Sequence, residues 1–537
     1  MLNKIKLSLD IESYIKPKTI LSLIFGFLLT AGQSVVHKET ANILIQIILF
    51  FPIRFFISYL FLSFLYHFFD IRKKHPLKLS SCKVFFISFS VLIILYYIAF
   101  LALYPGIFAF DAPYQLEMYL SDTISAHHPV FHTYLIGKII ETSYSYGLTV
   151  NEGIAVYSII QFTVTAACFS YLLKTVYRTT GSIAAWFFCL IYMGLFPTIV
   201  LQTLSVTKDS YFMAFFALSM SLIYELFKFN GNNHLKAIKD IFLIISLLAI
   251  LVFRNNCILA FPFLVGFLFY YSDNRKRISK IITSVIVLFL LYKFAFVPNL
   301  VTVPTSEREL LSVPAQQLVK IYNEDRNYFT EDELYIIERL CSKYDITNFV
   351  PGIADIAKAS LDMEYFHEHR SIIIKIWWKT ITSHPGKALE AIADLSVGSW
   401  YPFVDLTYFF NGQKMYWQVA GTTPFYISSK IPALFNYFYF FSFTDFSSPL
   451  KSIFYAIFAP ATFFYIFLIM LGYAVIKKNK TFLSIYYFTL AYWMSYLFGP
   501  VVLVRYTTYL FAICPMYLVQ IFSGKKVNET QDASSNN

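Results

Sequence analysis

The chain has 537 residues, of which 57% are hydrophobic and only 14% are charged. Soluble globular proteins are about 45–50% apolar and about 25% charged, so this composition excludes a soluble enzyme, a disordered protein and a disulfide-framed secreted domain. The formal net charge is +11, which would suggest nucleic acid in a soluble protein but can arise from topology in a membrane protein. The six cysteines show no CxxC or zinc-ligand spacing, and no disulfide is expected.

Twelve segments are apolar enough to be predicted as membrane-spanning helices, each of which needs roughly 20 mostly apolar residues. They are residues 19–37, 44–69, 83–104, 153–173, 183–204, 210–227, 241–254, 256–272, 281–298, 452–476, 481–500 and 505–522. The segments 241–254 and 256–272 are short and almost contiguous, so one long helix is the alternative for this pair.

The positive-inside rule decides between these alternatives, because short cytoplasmic loops carry an excess of Lys and Arg. With twelve spans, every basic cluster of the chain falls on one side; the clusters lie at residues 4–18, 72–83, 174–178, 228–239, 275–280, 477–480 and 525–526. A single helix over 241–272 would place the last three clusters on the opposite side. We therefore predict a multipass cell-membrane protein with both termini in the cytoplasm, whose positive charge mainly orients its helices and does not bind nucleic acid.

The predicted fold is an all-α polytopic membrane protein with a mostly helical extracytoplasmic domain inserted before the last three of about twelve helices. Residues 1–298 form an N-terminal transmembrane module that includes an outer loop at 105–152, and residues 299–450 form the extracytoplasmic domain. Residues 451–522 form a C-terminal transmembrane module, and 523–537 form a polar, disordered cytoplasmic tail. Apolar spacing predicts helices over 331–341 and 385–395 within the domain.

Asp111 is the candidate catalytic residue of the outer loop. It follows a predicted helix end in an aromatic surround, where partial burial would raise the pKa of its carboxyl and make it a better base. The alternative is a structural aspartate that caps a short interfacial helix, with Pro113 in the first turn.

Three histidines follow in the same loop, in the sequence Ala126-His127-His128-Pro129-Val130-Phe131-His132. Pro129 is expected to start a helix, which could place His128 and His132 on one face. This spacing can bind a metal ion, but the glutamate of the HExxH motif is missing. Hydrogen bonds to phosphate or sugar and an interfacial position at headgroup level are the two remaining interpretations.

Three cations lie at outer helix ends beside an acid or an amide: Lys208 next to Asp209, Arg254 next to Asn255, and Arg505. Each alone can be explained by snorkelling, helix capping or a turn. Short outer turns should lack Lys and Arg, however, and three converging cations suit a lipid phosphate. A carboxylate base beside such a phosphate site provides the minimum for glycosyl transfer from a lipid-linked sugar.

The whole chain resembles the GT-C superfamily of multipass glycosyltransferases that use polyprenyl-phosphate sugars, and is closest to an uncharacterised Gram-positive bacterial branch. The resemblance is carried by YPGIFAFD (104–111), HHPVFHTYLIG (127–137), VTKDSYF (206–212), RNN (254–256), ELLSVPAQQL (309–318), SWYP (399–402) and VRY (504–506). It implies a catalytic acid at Asp111, inversion at the anomeric carbon and no nucleotide-sugar site. The superfamily often has a second acid beside the first, but here the neighbour is Ala112, so no essential metal or other cofactor is expected, although a divalent cation is conceivable.

The resemblance also implies roles for the remaining candidates. The lipid phosphate would be bound by Lys208, Arg254, Arg505, His127 and His128. The inserted domain would orient the acceptor, with Gln316 near the mouth of the site and with Trp400 and Tyr401 offering a stacking surface, although interfacial anchoring explains that pair equally well. Further substrate contacts are expected from Gln115, His132, Asp209 and Asn255.

The predicted function is an integral-membrane glycosyltransferase that moves a sugar from a polyprenyl-phosphate donor to a cell-envelope glycan or protein acceptor. The active site would face the outside of the lipid bilayer. A flippase for a lipid-linked glycan is the main alternative, but it predicts mid-membrane charges and internal repeats, whereas only Arg54 and Lys293 lie well inside predicted spans, away from their ends, and no internal repeat is found. A polysaccharide polymerase or ligase, and a non-enzymatic sensor with an outer ligand domain, are the others.

Overall fold

The computed structural model describes residues 2–37, 45–108, 111–228, 233–304, 307–404, 427–443 and 456–523. Across these ranges the regular structure is helical, and the only β-pairing is an isolated bridge between Ile107 and Ser205. The predicted disordered tail at 523–537 lies outside the described residues except for Ser523.

Among the described residues, twelve helices precede the inserted domain, and five of them are longer than 20 residues. They are α1 (Leu2–Val36), α2 (Phe51–Asp70), α3 (Ser81–Ala102), α4 (Asp111–Leu120), α5 (Val130–Ser145), α6 (Val150–Thr180), α7 (Ile183–Leu195), α8 (Pro197–Leu204), α9 (Lys208–Lys228), α10 (Asn233–Phe253), α11 (Cys257–Tyr271) and α12 (Arg275–Leu291). A π-helical turn, Tyr292–Phe296, and a 3₁₀ turn, Val297–Asn299, continue α12. The chain over 241–272 thus forms two helices, as expected, rather than one.

Shorter helices form the inserted domain and the C-terminal part. In the domain they are α13 (Ser312–Glu324), α14 (Glu331–Leu340), α15 (Asp355–Ala359), α16 (Met363–Glu368), α17 (Arg370–Ser383) and α18 (Pro385–Ser396). After it come α19 (Pro432–Phe443), α20 (Pro460–Ile476), α21 (Lys480–Tyr496), α22 (Val504–Ala512) and α23 (Cys514–Phe522). The helices predicted over 331–341 and 385–395 are confirmed as α14 and α18, and Pro385 occupies the first turn of α18 as expected.

Within the part of the chain that the structure describes, six helical segments have the length and hydropathy of a membrane span, which makes this an all-α multipass membrane protein. They are Ile15–Val36, Gln46–Asp70, Ser81–Ala102, Val150–Thr180, Lys208–Lys228 and Arg275–Asn299. The pair α7 and α8, bent by 53°, would be a seventh, while α11 and α20 are shorter apolar helices. The segment predicted as a span at 505–522 is two helices, because Pro515 in the first turn of α23 has no N–H to continue α22. The count of twelve spans stays a prediction.

Two of these segments show how the bundle is layered. Helix α9 is central: 83% of its most apolar window is buried, and it packs against α6, α10 and α22. The segment Gln46–Asp70 is peripheral, with 11% buried, and leaves side chains such as Ile57 and Phe64 exposed. A peripheral apolar helix has its outer face in contact with lipid, whereas a buried span is free to carry polar groups at its ends.

The inserted domain has an apolar core of its own around α13, formed by residues such as Leu318, Ile337 and Ile376. The buried Lys320 ties α13 to α18 through Glu390 (3.3 Å) and Asp394 (3.1 Å). The domain reaches the membrane helices where the Ala354 N–H donates to the Pro500 carbonyl (2.8 Å). This contact sets the domain over the loop between α21 and α22.

Candidate functional site

The segment that leads into Asp111 is fixed against the segment that leads into Lys208. The Ile107 N–H donates to the Leu204 carbonyl (3.0 Å), and the Val206 N–H donates to the Ile107 carbonyl (2.9 Å). Helix α6 supports both strands of this bridge, because the Gln161 side chain donates to the Ser205 carbonyl (2.7 Å) and Ser158 donates to the Pro105 carbonyl (2.9 Å). The N-termini of α4 and α9 are therefore held side by side.

Asp111 is the first residue of α4, within the helix, and its carboxylate contacts two cations. Arg505 donates to both carboxylate oxygens, at 3.2 and 3.3 Å, and Lys208 Nζ lies 3.0 Å from Oδ2. His128 Nδ1 accepts from Lys208 Nζ at 3.3 Å and lies 4.0 Å from the same carboxylate oxygen. The structure thus unites four predicted site residues that come from three distant parts of the chain.

A second acid, Asp209, lies between Arg254 and Arg505. Arg254 Nη2 is 2.6 Å from Asp209 Oδ1, and Arg505 Nε is 3.8 Å from Oδ2. Both guanidinium groups also approach the ring of Tyr506, at 4.4 and 5.1 Å from its centre. Neither Asp209 oxygen makes a hydrogen bond of good geometry, nor does Nε of either arginine. We call Asp111, His128, Lys208, Asp209, Arg254 and Arg505 the Asp111 cluster.

The pKa of Asp111 corrects one expectation from the sequence. Burial raises the pKa of its carboxyl, as anticipated, but the charges of Lys208 and Arg505 more than offset this effect and hold the pKa well below its usual range. Burial, with Lys208 next, lowers the pKa of His128 to about 3, so this histidine is neutral at pH 7. Three cations then face two carboxylates, which leaves the cluster with one net positive charge and room for a monoanion.

Every member of the cluster except the buried Asp209 lines a cavity of about 740 Å³ between the membrane helices and the inserted domain. Seven predicted site residues line it: Asp111, His127, His128, Lys208, Arg254, Asn255 and Arg505. Residues that the sequence analysis missed line it as well, among them Tyr492 and Ser495 of α21 and the domain residues Glu309 and Lys358, which pair at 2.7 Å. Glu309 opens the motif ELLSVPAQQL, so the resemblance pointed to this segment without indicating that residue.

An apolar groove of about 310 Å³ opens beside the cavity. The two share Ala126, His128 and Asn255, and the groove continues between the apolar side chains of Ile258 and Phe289. The charged cavity and the mostly apolar groove are therefore neighbours that share part of their walls, and Lys293 also lines the groove.

Gln115 and His132 lie behind the cavity rather than in its lining. His132 Nδ1 bonds Gln115 Oε1 at 3.0 Å, Tyr157 bonds its Nε2 at 2.8 Å, and Gln115 donates to Thr133 at 2.9 Å. Burial lowers the pKa of His132 to about 3, which keeps the ring neutral with its proton on Nδ1, facing the Gln115 acceptor. In this structure the two residues join α4, α5 and α6 beneath Asp111.

Three further candidates are apart from the cavity. Gln316 donates to the carbonyls of Val350 and Pro351, at 3.1 and 2.8 Å, inside the inserted domain. Trp400 and Tyr401 are buried in the core of the membrane bundle, where Trp400 donates to Ser396 at 3.1 Å and Tyr401 packs on Gly32 of α1. Their predicted substrate contacts therefore need a rearrangement that the structure does not show.

No three His, Cys, Asp or Glu side chains in the described ranges approach closely enough to hold a metal ion. The pair His128 and His132 illustrates why: His128 faces Lys208 and Asp111, while both ring nitrogens of His132 are used by Gln115 and Tyr157.

Comparison with known proteins places the chain in a family. A model described as a family of unknown function, DUF6020, matches residues 117–533. The chain belongs to the DUF6020 family. The matched range contains Lys208, Arg254 and Arg505, while Asp111 precedes it. No curated protein and no solved structure matches the chain.

Proposed function

We propose that this DUF6020 protein is a membrane glycosyltransferase that transfers a sugar from a polyprenyl phosphate to a cell-envelope acceptor. One observation carries the proposal: a carboxylate and three cations meet at a charged cavity that shares part of its wall with an apolar groove. An amphiphile with a phosphate head and a hydrocarbon chain fits both parts at once, since cations bind phosphate and apolar side chains bind hydrocarbon.

The donor phosphate would bind Lys208, Arg254 and Arg505, with its prenyl chain in the groove beside Ile258 and Phe289. A sugar phosphodiester carries one negative charge, which matches the net charge of the Asp111 cluster. The N-termini of α4, α9 and α22 also point their partial positive charge towards this region. The phosphate of the product carries more charge than that of the donor, so the same cations stabilise the departing group most strongly as the reaction proceeds.

In the transfer step the acceptor hydroxyl attacks the anomeric carbon and gives its proton to the Asp111 carboxylate. The new C–O bond forms as the bond between the anomeric carbon and the phosphate oxygen breaks, and the electron pair leaves with the polyprenyl phosphate. Attack opposite to the leaving group inverts the anomeric centre. The reaction needs no metal and no redox partner.

The low pKa of Asp111 fits this scheme only if the donor alters the surroundings of the carboxylate. A bound phosphate competes for Lys208 and Arg505 and adds a negative charge nearby. Both changes raise the pKa of Asp111, so the carboxylate becomes a stronger base when the donor is present. Without donor, the salt bridges keep the cations in place.

The twelve-span topology with cytoplasmic termini belongs to this proposal, since it puts the Asp111 cluster outside the cell together with the inserted domain. The acceptor would enter between that domain and the membrane helices, where Glu309 and Lys358 line the cavity. A flippase would expose its charged site near mid-membrane, whereas this cluster gathers at helix ends, which favours transfer.

The decisive test is transfer of labelled sugar from a panel of polyprenyl-phosphate hexoses to cell-wall polymer by the purified full chain. We expect Asp111→Asn to lower turnover by about 10²-fold or more, because general base catalysis contributes roughly 10²–10⁴-fold. Asp122→Asn is the matched control: Asp122 is exposed in the same loop and has φ 52°, a conformation that asparagine tolerates. Equal turnover by Asp111→Asn and Asp122→Asn would rule out the base, and no transfer by the unaltered protein from any donor would rule out the function.

A further inference from the structure

A second charged cluster lies near the other end of α9, around Glu225. The fully buried Glu225 carboxylate pairs with Lys239 of α10 and lies 3.9 Å from both Lys174 and Arg178 of α6. Tyr171 donates to it at 2.8 Å. Glu225 lies 17 residues after Lys208, about 26 Å along a helix that rises 1.5 Å per residue. That distance approaches the roughly 30 Å thickness of a bilayer's hydrocarbon core.

Positive charge is in excess around Glu225. Arg277 of α12 is bound by Asp240 through Nη2 and Nε, at 2.6 and 2.9 Å, while three cations share Glu225. Lys236 makes no ion pair among the described residues, although it lines the same recess. Five cations thus face two acids; we call Lys174, Arg178, Glu225, Lys236, Lys239, Asp240 and Arg277 the Glu225 cluster.

The recess enclosed by the Glu225 cluster has a volume of about 90 Å³ and is lined by Arg178, Lys236, Lys239 and Arg277 with both acids. One water needs roughly 10–15 Å³ of such space, so the recess admits a group of several heavy atoms. It is too small for a sugar nucleotide. Close cations in partly buried surroundings repel one another unless an anion offsets them, and a phosphate group meets both the size and the charge.

The surface beside the recess is apolar. Leu235 lines the recess and is 55% exposed, and Ile238, Phe242 and Ile245 continue an exposed stripe along α10. Their spacing of three to four residues puts them on one face of the helix. This stripe leads from the recess along α10. An acyl chain attached to a headgroup in the recess would follow the same direction.

We propose that the Glu225 cluster binds the phosphate of an acidic phospholipid, with the acyl chains along the exposed stripe of α10. This site is separate from the Asp111 cluster and does not depend on the transferase proposal. The positive-inside rule accounts for basic residues at this end of the bundle, but not for their convergence on a walled recess in which Lys236 forms no ion pair with any described residue. The apolar stripe favours a lipid over free phosphate, although both offer the same charged group.

The test compares the thermal unfolding of the full chain in phosphatidylcholine vesicles alone, with added phosphatidylglycerol, and with added inorganic phosphate. We expect phosphatidylglycerol to raise the unfolding temperature by about 2 °C or more and inorganic phosphate to have no such effect. Lys236→Gln should lose most of this rise. Lys280→Gln, which removes an exposed cation of α12 outside the recess, should keep it.

Three results would overturn the proposal. Equal rises in Lys236→Gln and Lys280→Gln would show unspecific attraction to an anionic surface. An equal rise with inorganic phosphate would show a free-anion site and not a lipid site. No rise in the unaltered protein would show that the cluster only ties helices together. Because Lys236 makes no ion pair with the residues that the structure describes, its substitution should leave the fold intact, and an unchanged unfolding temperature in phosphatidylcholine checks this.

Discussion

Both ends of α9 carry a cluster of cations around a carboxylate, Asp111 at one end and Glu225 at the other. The two clusters differ in how far the carboxylate is covered. At one end Asp111 is 15% exposed and lines a cavity of about 740 Å³ that the inserted domain helps to enclose. At the other end Glu225 is fully covered, and Tyr171 fills one of its hydrogen-bonding positions. An acid that a ligand can reach is able to exchange its partners, while an enclosed acid is held by them. This difference is consistent with the chemical role proposed for Asp111 and with an anchoring role for Glu225, and the proposals give the surplus cations of both clusters to anions.

The largest expected difference between the two ends is the loss of folding stability when each acid is neutralised. Glu225→Gln should destabilise the protein by about 3–5 kcal/mol, because cations drawn to a buried acid are left without it. Asp111→Asn should cost less than about 1–2 kcal/mol, since Lys208 lines the cavity and Arg505 keeps Asp209 as a second carboxylate nearby. Thermal unfolding in detergent measures both, with Asp122→Asn as the reference. A larger loss for Asp111→Asn would contradict the assignment of roles.

Lowering the pH should reduce the stability of the fold at the Asp111 end, because His128 and His132 become protonated. His128 and His132 have pKa values lowered to about 3 in the folded protein. As the pH falls, these histidines are therefore protonated in the unfolded chain before they are protonated in the folded protein. Their stabilisation is complete above about pH 6.5 and is lost as the pH falls towards 3, at up to about 1.4 kcal/mol per pH unit for each histidine. Asp111 adds its own loss only below its unfolded pKa, near pH 4.

The measurement is the unfolding temperature between pH 7.5 and pH 4.5 for the unaltered protein and for His132→Gln. The variant should be less stable at pH 7.5 but should lose stability less steeply with acid, because one of the two protonation sites is gone. Parallel pH profiles would show that His132 does not titrate as its surroundings require.

The Asp111 cluster also depends on a loop, whereas the Glu225 cluster comes from helices alone. Gly106 has φ +119°, and a Cβ there would lie 2.1 Å from Ser158 Oγ, which donates to the Pro105 carbonyl. Gly106→Ala should therefore cost about 1–3 kcal/mol through backbone strain and should displace Asp111 from Lys208. Gly386→Ala is the control, since nothing lies within 4 Å of the added atom. Turnover should fall only in Gly106→Ala, and the response to phosphatidylglycerol should be unchanged in both.

The sequence predicted which residues meet at the Asp111 end of α9, because the number and direction of the spans determine on which side of the membrane each helix end lies. Counting spans put Lys208, Arg254 and Arg505 on one face without any knowledge of packing, and the motif order added Asp111. The break of the chain at Arg254 could be predicted for the same reason, since the basic residues at 275–280 require it. These inferences depend only on the direction of each helix.

What the sequence could not provide was the partner of each side chain. The pKa of Asp111 was expected to rise because burial could be guessed from its aromatic neighbours, while the distances to Lys208 and Arg505 could not. The sequence alone suggests that Trp400 and Tyr401 could stack against a sugar. In the structure both are buried with Val397 in the core of the membrane helices. Side-chain contacts across hundreds of residues decide such cases.

The smallest expected effect is the most informative about Asp111, because it moves binding and turnover in opposite directions. Asp111→Asn raises the net charge of its cluster from one to two positive charges and removes the group that competes with phosphate for Lys208 and Arg505. Labelled polyprenyl phosphate should therefore bind about tenfold more tightly, or by about 1.4 kcal/mol, while transfer falls. Lys208→Gln should weaken the same binding. If both substitutions weaken it, the carboxylate positions the cations for the phosphate instead of competing for them, and the resting salt bridges are part of the binding site.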